Sequence, residues 1–435
     1  MDDHLPAPDG AATAARQAPA SADHPWREAS ALERRIRARG GTATQARLLA
    51  LKLWNLLTAD GHFRRADRTL ESRPLKLLVD PANACQLRCP GCIHSANPAW
   101  RETFDWPAGV LSPERFEALL AKLGPFAFAA VFYNYGEPLL NRQFPRLVAA
   151  ARSYGLATVT STNLSLPIDA DAIVASGVDR ITVSIDGTSQ ATYARFRRRG
   201  SLDVVLKNVA RLVAARRAAA HCRPELVWQF LTFEHNRHEV AGAIALADEL
   251  GFDAIDVREP FDVARDDPGI RAAASEHAGT IVFRPMPEPS NEQMASTAAS
   301  GAAVDAAWRD LLRVRSPERL PGAAAPSGVP CRWLYDNLTV DATGRLLPCC
   351  MAPKAAGHSE GELVLGTVDQ LDHGNPMNLD RAIAARDRRH PMRCASCADR
   401  PSSPWSDDYA GHLRQLDLWQ TIPPRLLQQQ YFPAP

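Results

Sequence analysis

Short apolar runs alternate with amphipathic stretches through the middle of the chain. The run PLKLLVD over residues 74–80 predicts a buried strand. The run SPERFEALLAKL over residues 112–123 predicts a helix, because a Ser cap is followed by Pro and Glu in the first turn. The alternation continues through FAAVFYNYGEP, FPRLVAAARSYG, LATVTSTN, DADAIVASG, DRITVSID, SLDVVLKNVARLVAARRAA, ELVWQFLTF, NRHEVAGAIALADELG and FDAIDVRE. Six such β/α steps predict parallel strands with helical crossovers, as an open α/β sheet or a barrel.

The segments around this unit differ from it in composition. Residues 1–25 are mostly Ala, Pro, Asp and Gly, which predicts disorder. Residues 26–70 have helical periodicity and predict a helical N-terminal extension that packs on the main domain, which we expect over 71–284. Residues 285–330 predict a linker. Residues 331–435 predict a small domain. Its few apolar residues form only a small core, which needs further stabilisation such as a metal centre.

Composition excludes several functions and leaves the cysteines as the main chemical signal. The 435 residues carry 50 Lys and Arg against 49 Asp and Glu, so charge gives no reason to expect nucleic acid or an anionic membrane as partner. No apolar run is long enough to span a bilayer, and no secretory signal begins the chain, so we expect a cytoplasmic protein. In a reducing compartment, clustered cysteines indicate metal ligands or redox centres rather than disulfides.

The first cysteine group has the spacing C-x3-C-x2-C. Cys85, Cys89 and Cys92 follow the first predicted strand, and a barrel holds its chemistry at the carboxyl ends of its strands. Three thiolates can bind three irons of a cubane and leave the fourth iron without a protein ligand, which is the open position that a catalytic site needs. His94 is a potential fourth ligand, so the spacing alone also allows a closed zinc knuckle.

Further segments at predicted strand ends accompany this spacing in a fixed order. Tyr135–Leu140 (YGEPLL) resembles a G-G-E-P-L-L segment, Thr160–Asn163 (TSTN) resembles T-N-G, and Ser184–Gly187 (SIDG) resembles S-x-D-G. Together with the three cysteines they resemble the radical SAM superfamily from about residue 75 to residue 259. Two positions depart from the family pattern: Gly91 stands where an aromatic residue is frequent, and Tyr135 stands where the first Gly of G-G-E is expected.

The resemblance implies a fold, two cofactors and a set of site residues. The fold is a partial (β/α)6 TIM-type barrel, and the cofactors are a [4Fe-4S] cluster on the three cysteines and S-adenosyl-L-methionine (SAM) chelated to its open iron. In such enzymes a one-electron reductant, such as flavodoxin or ferredoxin, drives cleavage of SAM to methionine and a 5′-deoxyadenosyl radical, which abstracts hydrogen from the substrate. The implied SAM-binding residues are Gly136, Glu137, Asn163, Ser184, Asp186 and Arg197, with Glu137 toward the SAM amino group and Arg197 toward its carboxylate.

A second cysteine group lies in residues 331–435. The spacing from Cys331 through Gly344 to Cys349 resembles the C-x(9–15)-G-x4-C opening of SPASM and twitch domains, and Cys394 and Cys397 add a C-x2-C pair. Four thiolates close one auxiliary [4Fe-4S] cluster, and no later cysteines exist for a second one, so the shorter twitch-like form is implied. Without the barrel the same spacing suits zinc. Cys350 is either a spare thiol or an alternate ligand.

These observations predict a radical SAM enzyme that modifies a peptide or a small natural product. The auxiliary cluster favours oxidation or bond formation, because a substrate radical must pass its second electron to an acceptor. A sugar or aminocyclitol dehydrogenase or epimerase is the alternative within the enzyme class; an iron–sulfur electron carrier and a zinc-stabilised binding protein are the alternatives outside it. Cys222, just before the fifth predicted strand, is either an inert buried thiol or a hydrogen donor to a substrate radical.

Overall fold

A mixed β-sheet runs through the part of the chain that the structure describes. The computed structural model describes residues 43–65, 67–95, 108–219, 223–260, 267–284, 333–350, 364–372 and residue 376. The strands are β1 Lys76–Val79, β2 Ala129–Val131, β3 Ala157–Thr162, β4 Arg180–Ser184, β5 Glu225–Leu231, β6 Ala254–Arg258, β7 Gly279–Val282, β8 Asn337–Val340, β9 Arg345–Leu347 and β10 Gly366–Thr367. The helices are α1 Ala43–Arg65, α2 Pro113–Leu123, α3 Phe144–Ser153, α4 Ala170–Ala175, α5 Gln190–Phe196, α6 Leu202–Ala218, α7 Val240–Leu250 and α8 Trp333–Asp336, with 3₁₀ turns at Pro138–Leu140, Arg237–Glu239 and Val368–Gln370.

The first six strands confirm the predicted α/β fold. They lie side by side in chain order, every neighbouring pair is parallel, and helices α2 to α7 make the crossovers between them. The predicted start of α2 is also present, because the Ser112 hydroxyl accepts a hydrogen bond from the Arg115 N–H at 3.2 Å. This parallel arrangement brings the carboxyl ends of six strands to one edge of the sheet.

The hydrophobic core lies between the sheet and its helices. Leu77 and Val79 of β1 pack there with Phe116 and Leu120 of α2, and all four side chains are buried. Since successive side chains of a strand point to opposite faces, the alternate residues of β1 lie on the other face of the sheet, which we call the inner face. No helix in the described ranges is long and apolar enough to cross a lipid bilayer.

Four further strands extend the sheet beyond the six β/α steps. Strand β7 is antiparallel to β6, whereas β8 is parallel to β1 and continues through the antiparallel strands β9 and β10. Strands β8 to β10 lie within residues 331–435, for which the sequence predicts a small C-terminal domain, and their hydrogen bonds join them to the same sheet as β1. The predicted tail 1–25 and linker 285–330, and most of 331–435, lie outside the described residues, so those domain boundaries stay predictions.

Helix α1 lies against the amino-terminal edge of the sheet, opposite the cysteine loop. The fully buried Lys52 donates hydrogen bonds to the carbonyls of Gly124, at 3.2 Å, and of Ala127, both in the turn before β2. Asn55, one helical turn further on, donates to the Phe126 carbonyl at 3.1 Å. These contacts anchor the N-terminal helix, and burial lowers the pKa of Lys52 from 10.5 to about 7.

Replacement of Lys52 by Met tests this buried lysine. Between pH 7 and 10.5 the unfolded chain holds a proton on Lys52 that the folded chain has lost, so this group makes the free energy of unfolding rise with pH, by at most about 1.4 kcal/mol per pH unit. Urea titrations at pH 7, 8.5 and 10 should show this rise in the wild type and its loss in K52M. Lys207, an exposed lysine paired with Asp203, is the matched control, and K207M should keep the slope. If the free energy of unfolding changes with pH in the same way in wild type and K52M, the lowered pKa of Lys52 is contradicted.

Candidate active site

The loop after β1 carries the first cysteine group at the carboxyl edge of the sheet. Cys89 is buried, whereas Cys85 and Cys92 are partly exposed, and all three pack on a small apolar cluster that includes Leu87 and Phe196. The Cys92 N–H donates to the Cys89 carbonyl at 3.2 Å, which closes a turn between them. Gly91 within this turn has φ +75°, a left-handed conformation that disfavours the aromatic residue frequent at this position in the resembled family.

Two arginines hold this loop in place. The Arg88 guanidinium donates to the carbonyls of Cys85 and Leu87, each at 2.7 Å, and the Arg88 N–H donates to the Arg198 carbonyl at 3.0 Å. The loop is therefore fixed both internally and against the segment that follows α5.

The thiols of this loop lie in surroundings that disfavour their charged form. Burial, with a contribution from the charge of Glu137, raises the pKa of Cys85 to about 12. Burial also raises the pKa of Cys89 to about 11, although the nearby Arg197 guanidinium acts in the opposite direction. These thiols hold their protons at neutral pH, so a metal that binds them must displace those protons and supply the compensating charge.

The side chains of this loop are not arranged to ligate a single Zn²⁺ ion. Nε2 of His94 donates to the Tyr135 carbonyl at 2.8 Å, so this nitrogen carries a proton and is not a metal ligand. Across the described ranges, no three His, Cys, Asp or Glu side chains converge around one ion position. Ligands of one Zn²⁺ must all lie within about 2.3 Å of it, whereas a cubane distributes its cysteines over separate irons.

Glu137, in the loop after β2, lies at the carboxyl edge of the sheet. Its carboxylate is 2% exposed and accepts three hydrogen bonds: from the Thr162 hydroxyl at 2.6 Å, from the Asn163 N–H at 2.8 Å and from the Leu139 N–H at 3.1 Å. Burial raises the pKa of Glu137, while these donors and the charge of Arg197 oppose the rise. The carboxylate thus ties the end of β2 to the end of β3.

Asn163 connects this carboxylate to the cysteine loop. Its side-chain NH₂ donates to the Cys85 sulfur at 3.7 Å, and its side-chain oxygen accepts from Gln86 at 2.8 Å. The Glu137 N–H donates in turn to the Ala84 carbonyl at 2.8 Å. Cys85, Glu137 and Asn163, from three different strand ends, form one hydrogen-bonded network.

Close packing against the backbone of the loop after β1 requires glycine at position 136. A Cβ at this position would lie 1.7 Å from the Ala82 carbonyl oxygen and 2.7 Å from the Asn83 Cα, so the loop after β2 rests directly on the backbone of the loop after β1. Asp80 supports the same approach, because its carboxylate accepts from the Tyr135 N–H at 3.1 Å. Burial raises the pKa of Asp80 to about 7, against the effect of its backbone donors.

A buried ion pair lies on the far side of the cysteine loop. Nε of Arg197 donates to the Asp186 carboxylate at 2.5 Å, and the other Asp186 oxygen accepts from the Leu231 N–H at 2.7 Å. Burial lowers the pKa of Arg197, but the negative charge of Asp186 outweighs this effect and raises the pKa, so the guanidinium stays charged. The pair therefore places a fixed positive charge beside Cys89.

The remaining predicted residues lie elsewhere. Ser184, at the end of β4, donates to the Gln229 side chain at 3.4 Å and is not part of the Glu137 network. Cys349 and Cys350 follow β9 and are partly exposed. Cys222 lies outside the described residues, as do the other predicted ligands of the second cysteine group, Cys331, Cys394 and Cys397.

Sequence reasoning missed several supporting side chains. Thr162 and Gln86 hydrogen bond to Glu137 and Asn163, Asp80 holds the loop after β2, and Asn236 donates to the Asp186 carbonyl at 3.0 Å. The one available signal was position, since Asp80 and Thr162 are polar residues at the ends of apolar strands. Nothing in the sequence pattern distinguished Gln86 or Asn236 from solvated loop residues.

Comparison with known proteins identifies the domain that carries these residues. Residues 79–221 match the family model of the Radical SAM superfamily. These residues form a radical SAM domain. The matched residues run from the end of β1 to just beyond α6 and include the three-cysteine loop, Glu137 and the Asp186–Arg197 pair. This family implies a SAM-bound [4Fe-4S] cluster, and the chain is a radical SAM enzyme.

Individual relatives cover different shares of the chain. A PqqA peptide cyclase of Xanthomonas campestris pv. campestris (strain B100) is 27% identical over 334 residues, which are 75% of this chain and 80% of the relative. A GTP 3′,8-cyclase of Mycolicibacterium smegmatis is 35% identical over 148 residues, only 32% of this chain and 38% of the relative. Among solved structures, Streptococcus suis SuiB bound to S-adenosylmethionine is 12% identical with a TM-score of 0.46, and the match covers 91% of this chain and 82% of SuiB.

The radical SAM domain has a donor set that fits the cluster its family implies. Three thiols on one loop are soft ligands of the kind that iron–sulfur clusters use. A carboxylate can accept roughly four hydrogen bonds. The Glu137 carboxylate accepts three from the protein, so one acceptor site remains for the ammonium group of a ligand. Arg197 supplies a positive charge beside Cys89. The residues present therefore fit a cluster with bound SAM.

Replacement of Gly136 by Ala tests the close approach of the two loops. The added Cβ meets backbone rather than a flexible side chain, so the loops must separate and the Cys85–Asn163–Glu137 network must stretch. We expect G136A to bind SAM at least tenfold more weakly, measured by equilibrium dialysis of the reconstituted protein. Gly242 in α7 has no heavy atom within 4 Å of a built Cβ, so G242A is the matched control and should bind SAM normally. Normal SAM affinity in G136A would contradict the packing argument.

Proposed function

We propose that this chain is a radical SAM enzyme that oxidises or cross-links a peptide, with one auxiliary [4Fe-4S] cluster that accepts the second electron. The observation that carries the proposal is the hydrogen-bonded network that joins Cys85, Asn163 and Glu137 at one edge of the sheet. When bound there, the cluster and SAM supply reductive cleavage to a 5′-deoxyadenosyl radical, which removes a hydrogen atom from the substrate.

The residues around this edge bind and orient SAM. The remaining acceptor site of Glu137 suits the SAM ammonium group, and the Arg197 guanidinium suits its carboxylate. Both groups are more than four-fifths buried, so their interactions are little weakened by solvent. Phe196 and Leu87 pack with Cys89 in an apolar cluster and shield it from water. Gly136, Asn163 and Asp186 hold these groups in position.

A peptide is the substrate class that the comparisons favour. The PqqA peptide cyclase aligns over three quarters of this chain, well beyond residues 79–221. The GTP 3′,8-cyclases align over only 30% to 42% of it. Since the substrate-specific parts of a barrel enzyme lie outside its shared cofactor-binding loops, the longer alignment supports the peptide over the nucleotide.

The auxiliary cluster is proposed on Cys331, Cys349, Cys394 and Cys397. Cys349 follows β9, whose partner strand β8 pairs with β1, so this ligand is tied to the same sheet as the first cysteine group. An electron acceptor near the substrate is needed only when the net reaction is an oxidation. A sugar or aminocyclitol dehydrogenase shares this requirement, whereas an epimerase does not.

The iron content tests the two-cluster proposal. Anaerobic reconstitution should give about eight irons per chain, because three cysteines in one group and four in the other each hold a four-iron cluster. Replacement of Cys85, Cys89 and Cys92 by Ala should remove about four irons and abolish release of 5′-deoxyadenosine from SAM after reduction with dithionite. Deoxyadenosine from this triple variant would disprove the site, and zinc in the second group of the wild type would disprove the auxiliary cluster.

Replacement of Cys394 and Cys397 by Ala separates the tasks of the two clusters. The ligands of the first cluster lie in the barrel, so deoxyadenosine release without substrate should persist at a rate within about twofold of wild type. Conversion of a peptide substrate should fall to background. Circular dichroism and limited proteolysis of the variant distinguish loss of an electron acceptor from loss of a structural staple. If peptide turnover is unchanged, the auxiliary cluster takes no part in the reaction, and the chain is better described as a redox-neutral epimerase.

A further inference from the structure

Five buried polar atoms on or next to the β1–β8 strand pair and in the loop after β2 lack a hydrogen-bond partner within the described residues. They belong to side chains just after β1, in the loop after β2, in α8 and in β8. They are Oδ2 of Asp80, Nδ2 of Asn134, Nε1 of Trp333, Oδ1 of Asn337 and Oγ1 of Thr339. Such atoms are rare in folded proteins and require an explanation, which is frequently an absent ligand or water.

Three of these side chains share the inner face of the sheet. Leu338 and Val340 of β8 pack in the core on the helix side, so Asn337 and Thr339 lie on the inner face. In the parallel register Thr339 is opposite Leu78. Asp80, two residues beyond Leu78, continues the same face. Asp80, Asn337 and Thr339 are 1%, 7% and 0% exposed, so none of them reaches bulk water.

Asn134 and Trp333 line a cavity, and Thr339 is opposite Leu78, a third lining residue. It has a volume of about 50 Å³ and is lined by Leu78, Tyr133, Asn134, Trp333 and Cys350. Asn134 is three residues before Glu137, so the cavity reaches the loop that carries Glu137. A single water needs roughly 10–15 Å³, and this space therefore admits a group larger than one water. We call Asp80, Asn134, Trp333, Asn337 and Thr339 the polar wall.

The chemistry of the polar wall selects an amide. Asn134 and Trp333 offer N–H donors, Asn337 and Asp80 offer oxygen acceptors, and the Thr339 hydroxyl serves as either. A carboxylate or phosphate matches donors alone, and an ammonium group matches acceptors alone. A peptide unit presents one C=O and one N–H, which is the mixture found here. Leu78 and Tyr133 supply apolar surface for the flat faces of such a unit.

We propose that the polar wall binds an amide group of the peptide substrate beside the SAM site. This inference rests on the proposed function, in which the substrate is a peptide. It assigns substrate binding to side chains of β8 and α8 that lie outside residues 79–221.

Thr339 and Thr160 form a matched pair for the first test. Both side chains are fully buried on parallel strands, but the Thr160 hydroxyl donates to the Phe132 carbonyl at 2.9 Å, whereas the Thr339 hydroxyl has no partner in the described residues. A buried hydroxyl without a partner costs stability. In the SAM-loaded holoenzyme, T339V should therefore keep or raise the Tm, and T160V should lower it by several degrees. A Tm for T339V as low as that of T160V would show that Thr339 has a structural partner and overturn the proposal.

The second test measures amide binding directly in the holoenzyme. N-methylacetamide, a mimic of one peptide unit, is titrated while the ¹⁵N–¹H resonance of the Trp333 indole, assigned through W333F, is followed. We expect a saturable shift in wild type and T160V, a dissociation constant about tenfold higher in T339V, and weaker responses to acetate and methylammonium. If the resonance shows no saturable shift with N-methylacetamide, the cavity holds only water. If acetate gives a larger response, the site binds anions. Each outcome overturns the proposal.

Deoxyadenosine release without substrate separates this inference from the proposed function. If the wild type fails to cleave SAM, the proposed function is wrong whatever the amide titration shows. If SAM cleavage is normal and N-methylacetamide does not bind, the polar wall alone is wrong.

Discussion

The structure depends most on the buried carboxylate of Glu137. A charged group taken out of water is tolerated only when its oxygens are hydrogen bonded, and here the donors come from the end of β3 and from the turn after Glu137 itself. Asn163 extends the same network to Cys85. The positions of the cysteine loop, the second strand end and the third strand end are therefore coupled, because none can move without leaving a buried charge or donor unsatisfied.

Strand β1 is the element that the two parts of the molecule share. On one side it pairs with β2 and leads into the cysteine loop, and on the other side it pairs with β8. Because β8 is parallel to β1, Asp341 at its end lies beside Asp80 at the same edge of the sheet. The segment with Cys349 and Cys350 is in this way held to the barrel by main-chain hydrogen bonds rather than by a flexible connection.

Buried polar groups serve two different purposes in this sheet. At the amino-terminal edge, Lys52 and Asn55 find backbone carbonyls and so fasten helix α1 to the turn before β2. On the inner face, the polar wall leaves its donors and acceptors unmatched by the rest of the described chain. Folding gains nothing from the second arrangement, since a buried polar atom without a partner costs free energy, and an occupant supplied from outside removes that cost.

The sequence by itself determined the fold class, the cysteine positions and the order of the strand-end motifs. Apolar runs and caps are local properties, so strands β1 to β6 and the start of α2 were readable from periodicity. The spacing of the cysteines after β1 indicated a metal site, and the resemblance to radical SAM motifs implied the roles of Glu137 and Arg197. Only the tertiary structure decided the rest. The pairing of β8 with β1 joins residues about 260 apart through backbone hydrogen bonds that carry no side-chain signal. The partners of Glu137 and Asp186, the contact that requires Gly136 and the convergence of Asn134, Trp333 and Thr339 likewise depend on how separate strands meet, and a linear pattern does not encode such distances.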